Sequence, residues 1–228
     1  MIETVLFDLD DTILDFHRAE HIALSKTLTE MGIDACEKNI ALYSEINSAQ
    51  WKLLELGKLT REEVMRSRFE LFFKSINVTR SVDKAKELYE GFLSIGHFFM
   101  PEAIETLDTL VKKYNLYIVS NGTYRIQKER IASADISKYF KEIFISERVG
   151  YNKPDVRFFD KCFEKIGDIN RERTIIIGDS LSSDILGGIN AGIHTCLYNP
   201  SHKKNKTDIV PEYETDILSM VPSIIAKV

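Results

Sequence analysis

Two hydrophobic rhythms follow one another along this chain, and their order restricts the fold more than any other feature. Short β-rich runs at residues 4–10, 116–120, 142–146, 174–177 and 194–198 are separated by stretches with helical spacing. Runs such as VLF and TIII are apolar throughout, which suits strands covered on both faces. Strands of that kind alternating with helices predict an α/β fold built on a doubly wound, parallel, Rossmann-like sheet. Between residues 15 and 99 no β-run occurs and apolar residues recur at helical spacing. The expectation is a cap of three or four helices, packed as a small bundle and inserted after the first strand. Residues 1–14 and 100–228 would then form the α/β core, and 15–99 the helical cap.

Local signals mark several boundaries. Gly32 and Gly57 read as helix stops, and Thr60 followed by Glu63 forms a capping box that opens the next helix. Pro101 and Pro154 are expected in the first turns of two core helices, where a missing N–H costs little.

Composition removes several function classes. Thirty basic against 35 acidic side chains leave a formal charge of −5, so no overall field draws the chain to nucleic acid. No apolar stretch is long enough for a membrane span, and MIETVLFDLDDT lacks the basic start of a signal peptide, which places the protein in the cytoplasm. Cys36, Cys162 and Cys196 are odd in number and form no CxxC pair, so buried, reduced thiols are expected rather than a disulfide framework or zinc site. The histidines show no metal-ligand spacing such as HExxH. The composition leaves the number of copies in any assembly open.

Four signals carry chemistry, each at the end of an expected strand or in the loop beyond it. The first is Asp8-Leu9-Asp10-Asp11-Thr12, where alternation begins Asp8 and Asp10 on one face. Two carboxylates brought together need a cation or a proton between them, and a hard divalent ion with oxygen ligands, Mg²⁺ above all, meets that need. The second is Ser120-Asn121-Gly122, whose hydroxyl, amide and flexible backbone suit phosphate oxygens, although Ser-Asn-Gly is also an ordinary turn. Lys153 in YNKPD is the third, a cation able to neutralise a phosphate and a nucleophilic carboxylate together. The fourth, Gly178-Asp179-Ser180-Leu181-Ser182-Ser183-Asp184, offers Asp179 to a metal and Asp184 as a residue that orients Lys153 or a metal-bound water. A helix cap by Asp179 or Ser180 is the plainer alternative there.

The order Asp-x-Asp, Ser, Lys, Asp resembles the haloacid-dehalogenase-like superfamily, with motifs DLDDT, VSNG, the lysine of NKPD, and GDSLSSD. The resemblance implies a nucleophile at Asp8, a general acid and then base at Asp10, a phosphate ligand at Ser120 and a charge partner at Lys153. It also implies magnesium held by the side chains of Asp8 and Asp179 and by the Asp10 backbone carbonyl. An insertion after DLDDT resembles the first cap class of that superfamily. ISERVGYNKPDVRFFD, GDSLSSDILGGINAGIHTCLYN and, more faintly, NSAQWKLLELGKLT resemble YjjG-type pyrimidine 5'-nucleotidases, which implies small phosphorylated substrates, nucleoside monophosphates first. Sugar-phosphate phosphatases and phosphomutases share these motifs. A metal-free 2-haloacid dehalogenase shares the fold, but has no need of the acid at Asp10.

Phe16, Trp51 and Tyr124 are candidates for contact with substrate, core packing being the ordinary role of aromatics. Gly187 to Gly192, GGINAG, lacks GxGxxG spacing and is expected to serve close helix packing and a helix stop. The basic run from His202 to Lys206 reads as a solvated turn.

Overall fold

A computed structural model describes residues 1–167 and 169–228 of the protein. Six strands form one parallel sheet in the order β3-β2-β1-β4-β5-β6. They are β1 (Thr4–Phe7), β2 (Asn115–Ser120), β3 (Glu142–Ile145), β4 (Thr174–Gly178), β5 (His194–Tyr198) and β6 (Tyr213–Thr215). The strand order reverses beside β1, which pairs with β2 on one side and β4 on the other, Phe7 lying level with Ile118 and Ile177. Open parallel sheets bind ligands at such a switch point, outside the carboxyl ends of the strands.

The unbroken apolar runs have the predicted cause. Val5, Phe7, Ile118, Ile175, Ile177 and Cys196 belong to one buried cluster, which also holds Leu107 and Leu110 of helix α5 (Ala103–Leu110) and Ile224 and Ile225 near the C-terminus. Leu6, Tyr117, Val119 and Ile176, the alternate positions, pack with Phe158, Phe159, Cys162 and Phe163 of α8 (Val156–Ile166). Each such side chain contributes about 1.5–3 kcal/mol on burial, so the sheet is fixed from both faces.

Contacts divide the chain into Met1–Phe16 with His97–Val228, and His17–Gly96. The second unit is made of α1 (Phe16–Glu30, its first residue in the other unit), α2 (Glu37–Glu55), α3 (Arg61–Ser75) and α4 (Val82–Ser94). Gly32 and Gly57 follow helix ends with φ +66° and +67°, which glycine adopts without strain. Thr60 Oγ1 accepts from the Glu63 N–H while the Glu63 carboxylate accepts from the Thr60 N–H, completing the expected capping box. The core of the bundle is aromatic, with Tyr43 5.0 Å from Phe69, 5.7 Å from Phe72 and 5.5 Å from Tyr89 between ring centroids. Beside it lies a buried polar chain. Ser44 and Asn47 donate to the Glu20 carboxylate, Asn47 by a bond of 2.7 Å, and Arg68 Nη1 donates to Asn47 Oδ1 at 3.2 Å. Burial raises the Glu20 carboxyl above its ordinary value, opposed by Ser44, Asn47, His17 and Arg68.

Four expectations need correction. The first strand ends at Phe7 rather than residue 10, because the chain turns through Asp11 at φ 58° and closes with Asp11 N–H to the Leu14 carbonyl. Pro101 and Pro154 lie two places before the first residues of their helices, with Glu102 and Asp155 between as N-caps; the Asp155 carboxylate accepts from Arg157 N–H. Cys36 is exposed, since it caps α2 at the surface, whereas Cys162 and Cys196 are buried as expected. Finally, the three-residue strand β6 has too short a pattern to read in advance. Among the described residues no helix is long and apolar enough to cross a membrane.

Candidate active site

Asp8 is the first residue past β1, and its N–H donates to the Ile177 carbonyl, which carries the ladder one step beyond the strand. Its carboxylate meets Lys153, on the loop leading to α8. The Lys153 ammonium donates to Asp8 Oδ1 at 2.6 Å, to Asp184 Oδ1 at 2.6 Å and to the Val119 carbonyl at 2.7 Å. All three protons are used, so the nitrogen is located by the ends of β1 and β2 and by the helical turn Leu181–Ile185 together. The backbone of Lys153 is held as firmly: its N–H donates to Asn121 Oδ1 at 2.8 Å, and its carbonyl accepts from Asn121 Nδ2 at 2.9 Å. Asn121, expected to hold phosphate, has its amide committed to the lysine.

Asp179 follows β4, and its carboxylate lies with those of Asp8 and Asp184 in a group whose oxygens fall within 4.8 Å of one another. Asp184 is 1% exposed, yet it reaches this group because β4 ends in glycine. A Cβ on Gly178 would stand 2.3 Å from the Asp184 carboxyl carbon. Ser180 caps the turn that carries Asp184, accepting from Ser183 N–H. The Asp8 carboxyl is pushed up to about 8 by burial and by Asp184 and Asp10, with Lys153 opposing. Asp179 is raised well above the carboxylate range by burial, then by Asp184, Asp8 and Asp11, while Lys203 works against the rise. For Lys153, Asp184 and Asp8 outweigh burial and raise its pKa, so the ammonium stays charged. One cation among three acids is a deficit of positive charge, and oxygen donors at this spacing suit a hard divalent ion.

Asp10 stands apart from that group. One of its carboxylate oxygens accepts from Arg130 Nη1 and the other from Gln127 Nε2 at 2.6 Å, both on α6 (Tyr124–Ser133). Gln127 Nε2 also donates to Ser120 Oγ at 2.9 Å. Neither residue belongs to a motif legible in the sequence. The signal available was two long polar side chains one helical turn apart, next to the apolar Ile126 and Ile131 on a buried face.

The expected substrate aromatics lie in different places. Phe16 is half-buried, 5.7 Å from the Arg130 guanidinium, and Tyr124 opens α6 with the Arg148 guanidinium 4.4 Å from its ring. Trp51 is on α2, with Arg61 5.5 Å from its ring. His202 to Lys206 is exposed, as a solvated turn should be. In GGINAG, Cβ atoms on Gly187 and Gly188 would lie 2.7 Å from Phe159 and 2.6 Å from Ile176, and Gly192 caps the helix at φ +66°, so packing and a helix stop account for the motif.

A parallel α/β sheet with acids beyond β1 and β4, a hydroxyl at the end of β2 and a buried lysine among them defines a protein that handles an anionic group beside a cation. The chain belongs to the haloacid dehalogenase-like hydrolase family, whose model matches residues 5–198. It is 39% identical to the HAD-hydrolase YfnB of Bacillus subtilis over 92% of this chain and 90% of that protein. A solved structure of YfnB bound to magnesium superposes with a TM-score of 0.93 over 98% of both chains, at 38% identity. It is also similar to two pyrimidine 5'-nucleotidases. PynA of Streptococcus pneumoniae is 38% identical over 92% of this chain and 89% of that protein, and YjjG of Escherichia coli 27% identical over 98% and 97%.

Proposed function

We propose that this chain is a magnesium-dependent phosphomonoester hydrolase that works through a phosphoaspartyl intermediate on Asp8, with pyrimidine nucleoside 5'-monophosphates as substrates. The observation that carries the reading is the cluster of Asp8, Asp179 and Asp184 around a single lysine at the switch point of the sheet. The substrate class rests on the likeness to PynA and YjjG.

Asp8 and Asp179 would hold the ion through their carboxylates and Asp10 through its backbone carbonyl. When bound, magnesium supplies charge that keeps both carboxylates ionised and neutralises phosphate oxygens. Asp8 attacks phosphorus as the carboxylate, while Lys153 offsets charge on Asp8 and on the incoming anion. The Ser120 hydroxyl and the backbone after it hold phosphate oxygens. Asp10 gives a proton to the leaving oxygen and then takes one from the water that cleaves the acyl phosphate. Asn121 acts through Lys153, whose backbone it fixes. Phosphate monoesters hydrolyse so slowly that these contributions together must remove about 20 kcal/mol or more of barrier.

A panel of nucleoside monophosphates, sugar phosphates and 2-haloacids, with Mg²⁺ or with EDTA, tests the reading. Orthophosphate should appear only with Mg²⁺ and fastest from UMP, CMP or dTMP. Melting temperature should rise with Mg²⁺ by about 2–4 °C for each kcal/mol of binding free energy, and Asp179→Asn should abolish that rise. Halide release without metal, or phosphate kept on an isomerised sugar, would replace this function with a dehalogenase or a mutase.

A further inference from the structure

Gln127 and Arg130 are 2% and 0% exposed, and each sends a donor to the site, Gln127 to Asp10 and Ser120 and Arg130 to Asp10. Arg130 Nη1 also donates to Gln127 Oε1 at 3.0 Å. This settles which way the amide faces, because its oxygen is taken by the guanidinium and its nitrogen must serve Asp10 and Ser120. Gly122 leaves the space for it: a Cβ there would lie 2.4 Å from Gln127 Nε2. Ser120 Oγ in turn accepts from the Gly122 N–H at 3.1 Å as well as from Gln127. With two donors aimed at its oxygen, the serine has its own O–H left to give.

Resting on the phosphohydrolase reading, we infer that Gln127 and Arg130 are positioning residues that aim the acid/base carboxylate of Asp10, with Gln127 bracing it against Ser120, which the Gly122 N–H still holds when Gln127 is lost. Each holds one oxygen of Asp10, which fixes the carboxyl plane. The amide of Gln127, pinned by Arg130, sets the distance between that plane and Ser120. A proton transfer depends steeply on such geometry, so losing the clamp should harm most the substrate whose leaving oxygen needs a proton.

The experiment compares the burst rate of phosphoryl transfer from p-nitrophenyl phosphate, whose leaving group departs as the anion, with that from UMP, whose alkoxide must be protonated. Wild type, Gln127→Leu, Arg130→Lys and Arg130→Met are measured with Mg²⁺, alone and in an Asp10→Asn background. Gln127→Leu and Arg130→Met should slow UMP by about 10- to 100-fold and p-nitrophenyl phosphate by no more than about threefold. Arg130→Lys should recover part of the loss. In the Asp10→Asn background Gln127→Leu should add no more than about twofold, since a residue acting through another has nothing left to act on. Equal slowing of both substrates, or full additivity with Asp10→Asn, overturns the inference while leaving the hydrolase reading standing. Wild type that releases phosphate from neither substrate overturns both. Should the buried Arg130→Met fail to fold, as its melt would show, the neutral Gln127→Leu carries the comparison.

Discussion

The α/β unit and the helical unit each bury a set of charged groups, but the two sets differ in arithmetic. At the carboxyl ends of the central strands four carboxylates, Asp8, Asp10, Asp179 and Asp184, stand with two cations, Lys153 and Arg130. Inside the bundle Asn47 bridges the Glu20 carboxylate to the Arg68 guanidinium, and Ser44 adds a donor. That chain of hydrogen bonds joins α1, α2 and α3. The unbalanced set asks for a cation, and it is the one at the switch point of the sheet.

Removing one charged group from each set should give opposite effects on stability, and the largest effect of all is on turnover. Asp8→Asn should cut orthophosphate release by about 10³-fold or more while leaving the metal-free melting temperature unchanged or slightly higher, because the variant relieves repulsion. A clear loss of stability without metal would mean that the acids beyond β1 and β4 are balanced by the cations already there. Next in size is the bundle's cation. Arg68→Met strips Glu20 of its buried counter-charge and should destabilise the fold by about 3 kcal/mol in urea titrations. A cost below about 0.5 kcal/mol would show that the hydrogen bonds of Ser44 and Asn47 suffice for Glu20.

The smallest effect is on pH dependence. The Glu20 carboxyl has a higher pKa folded than unfolded, so the folded state holds its proton more tightly. Its contribution to stability is therefore fully present below the ordinary value of 4.5 and is lost as pH rises through the folded value. Relative to Glu20→Gln, the wild type should be most favoured at the acid end of that window and lose ground above it. A difference that stays flat from pH 4 to 7 would assign the buried carboxylate no proton linkage at all.

Legibility in the sequence followed the length of the pattern. Apolar runs leading to Asp8, Ser120 and Asp179 announced buried strands with polar groups at or beyond their ends, so the sheet class could be read, although the first strand stops at Phe7 and not at residue 10. The insert was legible as helices because Gly32, Gly57 and the Thr60 box punctuate it. Gln127 and Arg130 were not, since single polar residues on a helix look solvated until tertiary packing turns that face inward. For the same reason Glu20, Asn47 and Arg68, spread over three helices, gave no local sign of meeting. Cys36 was misread as buried because a thiol's ordinary preference says nothing about a cap position at the surface.

Gly178 carries no functional group, yet the volume a methyl would need there is already filled by the Asp184 carboxyl group. In a library of variants, position 178 should therefore be as intolerant as the charged positions around it, and an alanine there would mimic an active-site defect by pushing Asp184 off Lys153. For any redesign of this scaffold toward other anions, the bare backbone at the tip of β4 is a fixed point.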